Sequence, residues 1–259
     1  MNKPIVSDIA GVINIYKEKG YTSHDAVAVV RRLLNHIKTG HTGTLDPDAE
    51  GVLPICVGRA TKLADSITAS DKSYTCALVL GAVTDTGDTT GKLTARRPDG
   101  FARIDAAFEQ AVRAAVSGFL GAQTQIPPMY SAIKVNGKKL YELARSGVTI
   151  ERAPREIFIY DIKTTFAEAR DITIDGRVCA GFPVVGLDIT CSKGTYIRSL
   201  CFDIGESLGC GGCMTDLVRT RSGPFELKDS MRLAELKALV EAGRLDECLI
   251  SIEKLTETR

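Results

Sequence analysis

The sequence predicts a mixed fold of the α/β or α+β class, on three observations. Residues 11–16, 51–57, 72–80, 155–166 and 182–191 carry apolar residues in alternation or in short unbroken runs, the patterns of half-buried and fully buried strands. Residues 22–34, 104–119 and 232–242 space their apolar side chains by three and four, as helices lying on a sheet do. The composition fits: of 259 residues, 44% are hydrophobic and 25% charged, enough to bury one large or two small cores.

Taken in order, Gly11-Val-Ile-Asn-Ile-Tyr16 enters the turn Lys17-Glu-Lys-Gly20. Thr22 or Ser23 then caps a helix with Ala26, Val30, Leu33 and Leu34 on one face and Arg31 and Arg32 on another. A glycine-punctuated loop follows, Gly40-His41-Thr42-Gly43-Thr44-Leu45-Asp46-Pro47-Asp48-Ala49-Glu50-Gly51. Glycine permits left-handed backbone, and Pro47 pushes Asp46 toward an extended conformation, so its carboxylate projects from the loop instead of capping a helix. On these residues alone, an Asp-Pro turn closing two strands is the simpler account.

Residues 51–57 read as a buried strand, 59–69 as a helix ending near Ser70-Asp71, and 72–80 as a strand in which Tyr74 fits a core aromatic with its hydroxyl at the rim. Thr84-Asp-Thr-Gly-Asp88-Thr-Thr-Gly91 is a polar hairpin connection that lacks the register and terminal glutamate of a calcium loop. Phe108, Val112, Ala115 and Val116 give 104–119 a helical stripe. Pro127 and Pro128 then break regular structure ahead of a basic helix at 138–146. Between Lys134 and Arg155 there are six bases (Lys134, Lys138, Lys139, Arg145, Arg152, Arg155) against two acids, and from Gln123 through the basic helix the aromatics Tyr130 and Tyr141 interleave with bases. Such a segment suits RNA stacking and phosphate contact, and a solvated helix face accounts for the charge equally well. Strands at 155–166 and 182–191 follow, the second with Leu187, Ile189 and Cys191 on one face. Gly194-Thr195 starts a helix with Arg198 in its first or second turn, where the dipole disfavours a cation and a partner is expected; locally a surface ion pair is the better reading. Residues 214–225 form the last strand, and 232–242 an amphipathic helix.

No apolar run approaches the ~18 residues of a membrane span, and Met1-Asn-Lys-Pro-Ile-Val-Ser-Asp8 lacks a signal-peptide core, so a cytoplasmic protein without membrane contact is expected. The eight cysteines are scattered and read as reduced thiols. Cys210-Gly-Gly-Cys213 has metal or redox spacing, but the three histidines lie far upstream, and no metal is expected. The net charge of +1 neither requires nor excludes nucleic acid.

Read as a unit, Gly40-His-Thr-Gly-Thr-Leu-Asp46-Pro followed by Gly51-Val-Leu-Pro-Ile-Cys-Val-Gly58-Arg-Ala-Thr-Lys62 resembles the catalytic segment of the tRNA pseudouridine-55 synthases, the TruB family. The resemblance implies that Asp46 is the nucleophile. It extends to Lys72-Ser-Tyr74, whose tyrosine would lie against the target base, and to Thr84-Asp-Thr-Gly-Asp88, whose second aspartate would sit near the substrate pocket. Gly194-Thr-Tyr-Ile-Arg198-Ser-Leu matches a motif whose arginine pairs with the catalytic carboxylate, and Leu217 matches a pocket leucine. Lys17, His41, Gly43 and Thr44 would complete the substrate-binding set, and Glu18 stands where the family usually has proline. Lys134, Lys138, Lys139, Arg145 and Arg152 would grip the tRNA T-arm from a thumb-like insertion at about 122–152.

The implied fold is α+β, a pseudouridine synthase fold with a mixed, mostly antiparallel central sheet flanked by helices and loops. It would form one catalytic domain over 1–259, with a short helical tail at about 226–259 in place of a complete C-terminal PUA domain. The implied enzyme is a monomer that isomerises the T-loop uridine at tRNA position 55. The base is flipped out, Asp46 attacks the nucleotide, Arg198 keeps that carboxylate charged, and Tyr74 stacks and later takes the C5 proton. His41 fills space the base vacates or, equally, stabilises its own turn. The scheme needs no cofactor. Two other readings compete: a non-catalytic RNA-binding or tRNA-folding module, and a glycoside hydrolase pairing Asp46 with Asp48 or Asp88, although the motifs around these residues do not resemble such enzymes.

Overall fold

The computed structural model describes residues 9–96, 104–135, 137–166 and 169–257; the N-terminal octet, expected to lack a leader core, lies outside them. In chain order the elements are β1 (Gly11–Lys17), α1 (Ser23–Leu33), β2 (Thr39–His41), β3 (Glu50–Val57), α2 (Ala64–Thr68), β4 (Lys72–Leu80), β5 (Ala82–Thr84), β6 (Leu93–Arg96), α3 (Ala106–Ser117), β7 (Gly121–Gln125), β8 (Lys134–Val135), β9 (Lys138–Lys139), α4 (Leu140–Arg145), β10 (Arg155–Phe166), β11 (Arg170–Ile174), β12 (Arg177–Phe182), β13 (Val184–Cys191), α5 (Ile197–Ser207), β14 (Gly212–Ser222), β15 (Phe225–Glu226), α6 (Leu233–Glu241) and α7 (Ile252–Glu257). The chain divides into two compact units, Met1–Ser73 with Val218–Arg259, and Tyr74–Leu217.

In the first unit β1 lies antiparallel to β3 along its whole length, β2 lies antiparallel to the end of β3, and β14 runs parallel to its start at Val218↔Glu50 and Arg219↔Gly51. Pro54 is tolerated inside β3 because it falls between the stretches paired with β14 and with β2, where a missing N–H costs no ladder bond on that side. Val12, Val52 and Cys56 pack on Ala60, Ile67 and Phe225. Ile13 and Ile15 are as buried as Val12, so β1 is covered on both faces, with α6 against β1 and α1 against β2. Each aliphatic side chain so buried contributes about 1.5–3 kcal/mol. Thr22 caps α1 through a reciprocal box with Asp25, the first of the two caps expected.

In the second unit β4, β13, β10 and β7 lie side by side in that order, with β10 antiparallel to both its neighbours. Asp105 caps α3 by accepting from the Phe108 N–H at 2.9 Å, and Phe108 meets Phe166 of β10 edge-on, ring centroids 6.2 Å apart. A hairpin that the apolar pattern does not announce, β11–β12, turns at Asp175 and Gly176 (φ 49° and 73°) and seals Ile172, Ile174 and Phe182 against Ala77 and Val79. Asp-Gly between alternating apolar residues is the sequence signature of such a two-residue turn. The pairs β1–β3, β2–β3, β10–β13, β10–β7 and β11–β12 are antiparallel and β14–β3 is parallel, a mixed and mostly antiparallel arrangement.

Two expected elements differ. The helix expected at 59–69 begins as a 3-10 turn over Gly58–Leu63 and becomes α-helical only at Ala64. The basic helix expected at 138–146 gives its first two residues to a small hairpin, Lys134↔Lys139 and Val135↔Lys138, so α4 is Leu140–Arg145.

Candidate active site

In the first unit the loop between β2 and β3 is held at nearly every residue around Asp46 by groups distant in sequence. Ser23, 1% exposed, grips Leu45 twice: its hydroxyl accepts from the Leu45 N–H at 2.8 Å and donates to the Leu45 carbonyl at 3.1 Å. Beyond Asp46, the Pro47 carbonyl accepts from Lys17 Nζ at 3.1 Å and from the Gly20 N–H at 2.9 Å. Thr42 is fully buried, and both its N–H and its hydroxyl donate to the Pro54 carbonyl. The backbone at Asp46 is therefore fixed from both sides, while the residue stays half-exposed and Thr44 is exposed.

Arg219, 1% exposed, donates from Nε to the Val52 carbonyl at 2.7 Å and from Nη2 to the Gly43 carbonyl at 3.2 Å, which locks β14 to the loop. Gly51 makes that approach possible. At φ +101°, any Cβ there would lie 2.3 Å from the Arg219 carbonyl oxygen. Ser23, expected only as one of two caps, and Arg219, expected only as part of a strand, are positioning residues that sequence reasoning misses. The available signal is an arginine directly after Leu217-Val218 in an apolar strand.

Lys17 is expected in the substrate-binding set, but it is fully buried and its ammonium donates to the carbonyls of Glu18, Tyr21 and Pro47. Its ammonium supports the loop at the Pro47 carbonyl. Burial pulls its pKa down from 10.5 to about 8, against the opposing pull of Glu50, Asp48 and Asp46. Between those values the unfolded chain carries more protons than the folded one, so this group makes stability rise with pH from about 8 to about 10.5. Lys17→Met leaves three carbonyls without that donor and is expected to lose about 1–3 kcal/mol. Urea unfolding at pH 7.5 and 9.5 checks both points: the gap to the unsubstituted protein should widen at the higher pH, and a gap that narrows would refute the account.

His41 lies in β2, its ring edge-on to that of His24 at 5.2 Å between centroids. Burial, then the charges of His24 and Arg219, lower its pKa to about 4, so the imidazole is neutral at physiological pH and presents an uncharged face.

In the second unit Arg198 is in the first turn of α5 and 5% exposed. Its planar fork points three ways: Nη1 to the Thr86 carbonyl at 2.9 Å, Nη2 to the Tyr130 carbonyl at 2.7 Å, and Nε toward Asp88 Oδ2 at 3.6 Å. The expected partner for a cation at a helix start is thus supplied in part by Asp88. That carboxylate is itself fixed, its Oδ1 accepting from the hydroxyls of Thr86 and Thr90 and the Thr90 N–H at 2.6–3.0 Å. The surface ion pair favoured by the local sequence is replaced by a largely shielded one at 3.6 Å, beside two hydrogen bonds to backbone carbonyls. Tyr74 is half-exposed in β4 and Leu217 is 9% exposed in β14. Lys72, two residues before Tyr74, caps the carbonyls of Thr68 and Ser70 behind α2.

Of the basic residues expected to contact RNA, Lys134 and Lys138 are exposed on the β8–β9 hairpin, Arg145 is exposed at the end of α4, and Lys139 and Arg152 are half-buried. Lys139 and Arg145 both lie over the Tyr141 ring, 5.3 Å from its centroid. Cys210 and Cys213 are buried thiols, and burial with the nearby Asp88 charge pushes Cys213 up to about 12, the state of inert core cysteines. Among the described residues no group of three or more His, Cys, Asp or Glu is placed to hold a metal ion.

Residues 31–197 match the family described as TruB family pseudouridylate synthase (N terminal domain), and residues 198–257 match the tRNA pseudouridylate synthase B C-terminal domain. The tRNA pseudouridine synthase B of Lachnoclostridium phytofermentans is 49% identical over 249 residues, covering 95% of this chain and 76% of that protein. The enzyme of the same name from Alkaliphilus oremlandii is 49% identical over 231 residues, covering 88% and 70%. Among solved structures, a Cbf5-Nop10-Gar1 complex contains a chain with TM-score 0.67 and 28% identity; the match covers 94% of this chain but only 60% of that one. An archaeal box H/ACA sRNP Nop10-Cbf5 complex gives TM-score 0.64 and 27% identity, covering 98% of this chain and 64% of the other.

Proposed function

The chain belongs to the TruB family of pseudouridylate synthases and is a tRNA pseudouridine synthase, and from that premise we propose that it acts on the T-loop uridine at tRNA position 55 with Asp46 as nucleophile. The observation that carries the assignment of Asp46 is the loop itself: Ser23, Lys17 and Arg219 fix the backbone around a carboxylate that remains half-exposed. A turn serving only to join two strands has no need of three buried side chains from elsewhere in the chain.

In the proposed reaction the N1–C1′ glycosidic bond breaks, the uracil turns, and a C5–C1′ bond forms; C5 loses its proton and N1 gains one, so nothing is consumed. Asp46 supplies the nucleophilic oxygen and Arg198 a permanent positive charge that favours the ionised carboxylate. Tyr74 stacks on the base and takes the C5 proton. Reaching the base requires extruding it from the T-loop at a cost of a few kcal/mol, and the neutral ring of His41 is suited to the vacated space. Lys134, Lys138, Lys139, Arg145 and Arg152 contact T-arm phosphates, and affinity should fall as salt rises. The enzyme works as a monomer in the cytoplasm; no helix among the described residues is long and apolar enough to cross a membrane.

The test is to incubate the protein with an unmodified tRNA transcript and map pseudouridine by sequence position. Conversion at the T-loop uridine is expected, and a tight-binding protein that leaves the transcript unmodified would instead favour the non-catalytic module.

A further inference from the structure

The basic segment leaves the sheet and returns to it at one point. Gln125 ends β7, and its register partner Arg155 begins β10, so Lys134, Lys138, Lys139, Arg145 and Arg152 all lie on the excursion between them. Gln125 is only 4% exposed, and its amide pairs with a single distant backbone residue in both directions: Oε1 accepts from the Tyr196 N–H at 2.8 Å and Nε2 donates to the Tyr196 carbonyl at 3.1 Å. Tyr196 is the N-cap of α5, two residues before Arg198. Arg198 reaches back through Nη2 to the carbonyl of Tyr130, five residues after Gln125. The neck of the excursion and the arginine thus form a closed circuit of hydrogen bonds.

We infer that Gln125 is a positioning residue, which orients Arg198 for the reaction and couples it to the neck of the RNA-binding segment. The inference rests on the catalytic part proposed above for Arg198. Gln125 touches neither the reacting atoms nor the exposed lysines; it sets the start of the helix from which the guanidinium projects. Its removal should slow the chemical step while leaving RNA affinity in place.

The experiment uses the full chain and a T-arm stem-loop RNA. Single-turnover pseudouridine formation at saturating enzyme, the Kd for RNA and the melting temperature are measured for Gln125→Met, for Gln125→Glu, which keeps the acceptor for the Tyr196 N–H and loses the donor, and for Arg198→Lys alone and combined with Gln125→Met. Gln125→Met should slow the single-turnover step at least tenfold with Kd changed less than twofold, Gln125→Glu should lie between it and the unsubstituted enzyme, and in the Arg198→Lys background Gln125→Met should add less than twofold. An unchanged rate, a loss confined to Kd, or full additivity with Arg198→Lys overturns the inference. If Gln125→Met fails to fold, Gln125→Glu decides alone: a folded variant at the unsubstituted rate overturns it. Retention of full activity by Arg198→Lys by itself would mean that charge alone suffices, which overturns this inference and leaves the functional reading standing; that reading fails instead if the unsubstituted protein leaves the T-loop uridine unconverted.

Discussion

Asp46→Asn is expected to abolish pseudouridine formation, with a rate loss on the order of 10⁴-fold or more, while T-arm RNA still binds with near-unchanged affinity. A carboxamide has the shape of a carboxylate but is too weak a nucleophile to form a covalent intermediate, and removing a nucleophile outright gives losses of that size. Folding should survive, because the bonds that fix this stretch run to the backbone of Gly43, Leu45 and Pro47, which the substitution leaves in place. Single-turnover conversion of a T-loop uridine, read beside a binding isotherm and a melting curve, separates the outcomes. A folded Asn variant that converts RNA within tenfold of the unsubstituted rate removes Asp46 from the reaction.

Arg198→Lys is the second substitution with a large expected effect, a loss of about 10²–10³-fold in the single-turnover step. A lysine keeps the charge, yet one ammonium on a flexible stem cannot face the Thr86 carbonyl, the Tyr130 carbonyl and the Asp88 carboxylate along the three directions the guanidinium fork now serves. Misplacing one fixed charge in an active site costs about 2.7–4 kcal/mol of barrier, and the carbonyls left without a donor cost about 1–3 kcal/mol of stability. The rate assay together with urea unfolding tests both halves. A lysine variant with full activity would mean that charge alone suffices and that the fork is structural.

Local chemistry is readable without coordinates. Thr22, one of the two caps expected, is the N-cap of α1, Leu187, Ile189 and Cys191 are buried along one face of β13, and the Thr84–Gly91 stretch does connect two hairpin strands. The failures have physical causes. The 3-10 start of the 58–69 segment escapes because a stripe of apolar residues does not distinguish 3.0 from 3.6 residues per turn over so short a length. The strand at Lys138-Lys139 escapes because two residues carry no period. The β11–β12 hairpin, by contrast, has its Asp175-Gly176 signature in plain view, but β12 lacks a clean alternation, since Val178 is apolar yet exposed and Arg177 pairs with the buried Ile174.

The sequence by itself determined that this chain carries the TruB motifs, that a carboxylate at Asp46 precedes a proline in a glycine-rich loop, and that Arg198 starts a helix and so needs partners. Those are facts of neighbouring residues, and propensity, turn chemistry and motif spacing act over such distances. Only the tertiary structure decided that Lys17 supports the loop from beneath, that Ser23 and Arg219 hold its backbone, that Asp88 is one partner of Arg198, and that Gln125 fastens the start of α5. Each of these is a buried polar group satisfied by residues up to 176 positions away. Such a hydrogen bond leaves no periodicity in either segment, because it is made by the fold and not by the stretch of chain that contains it.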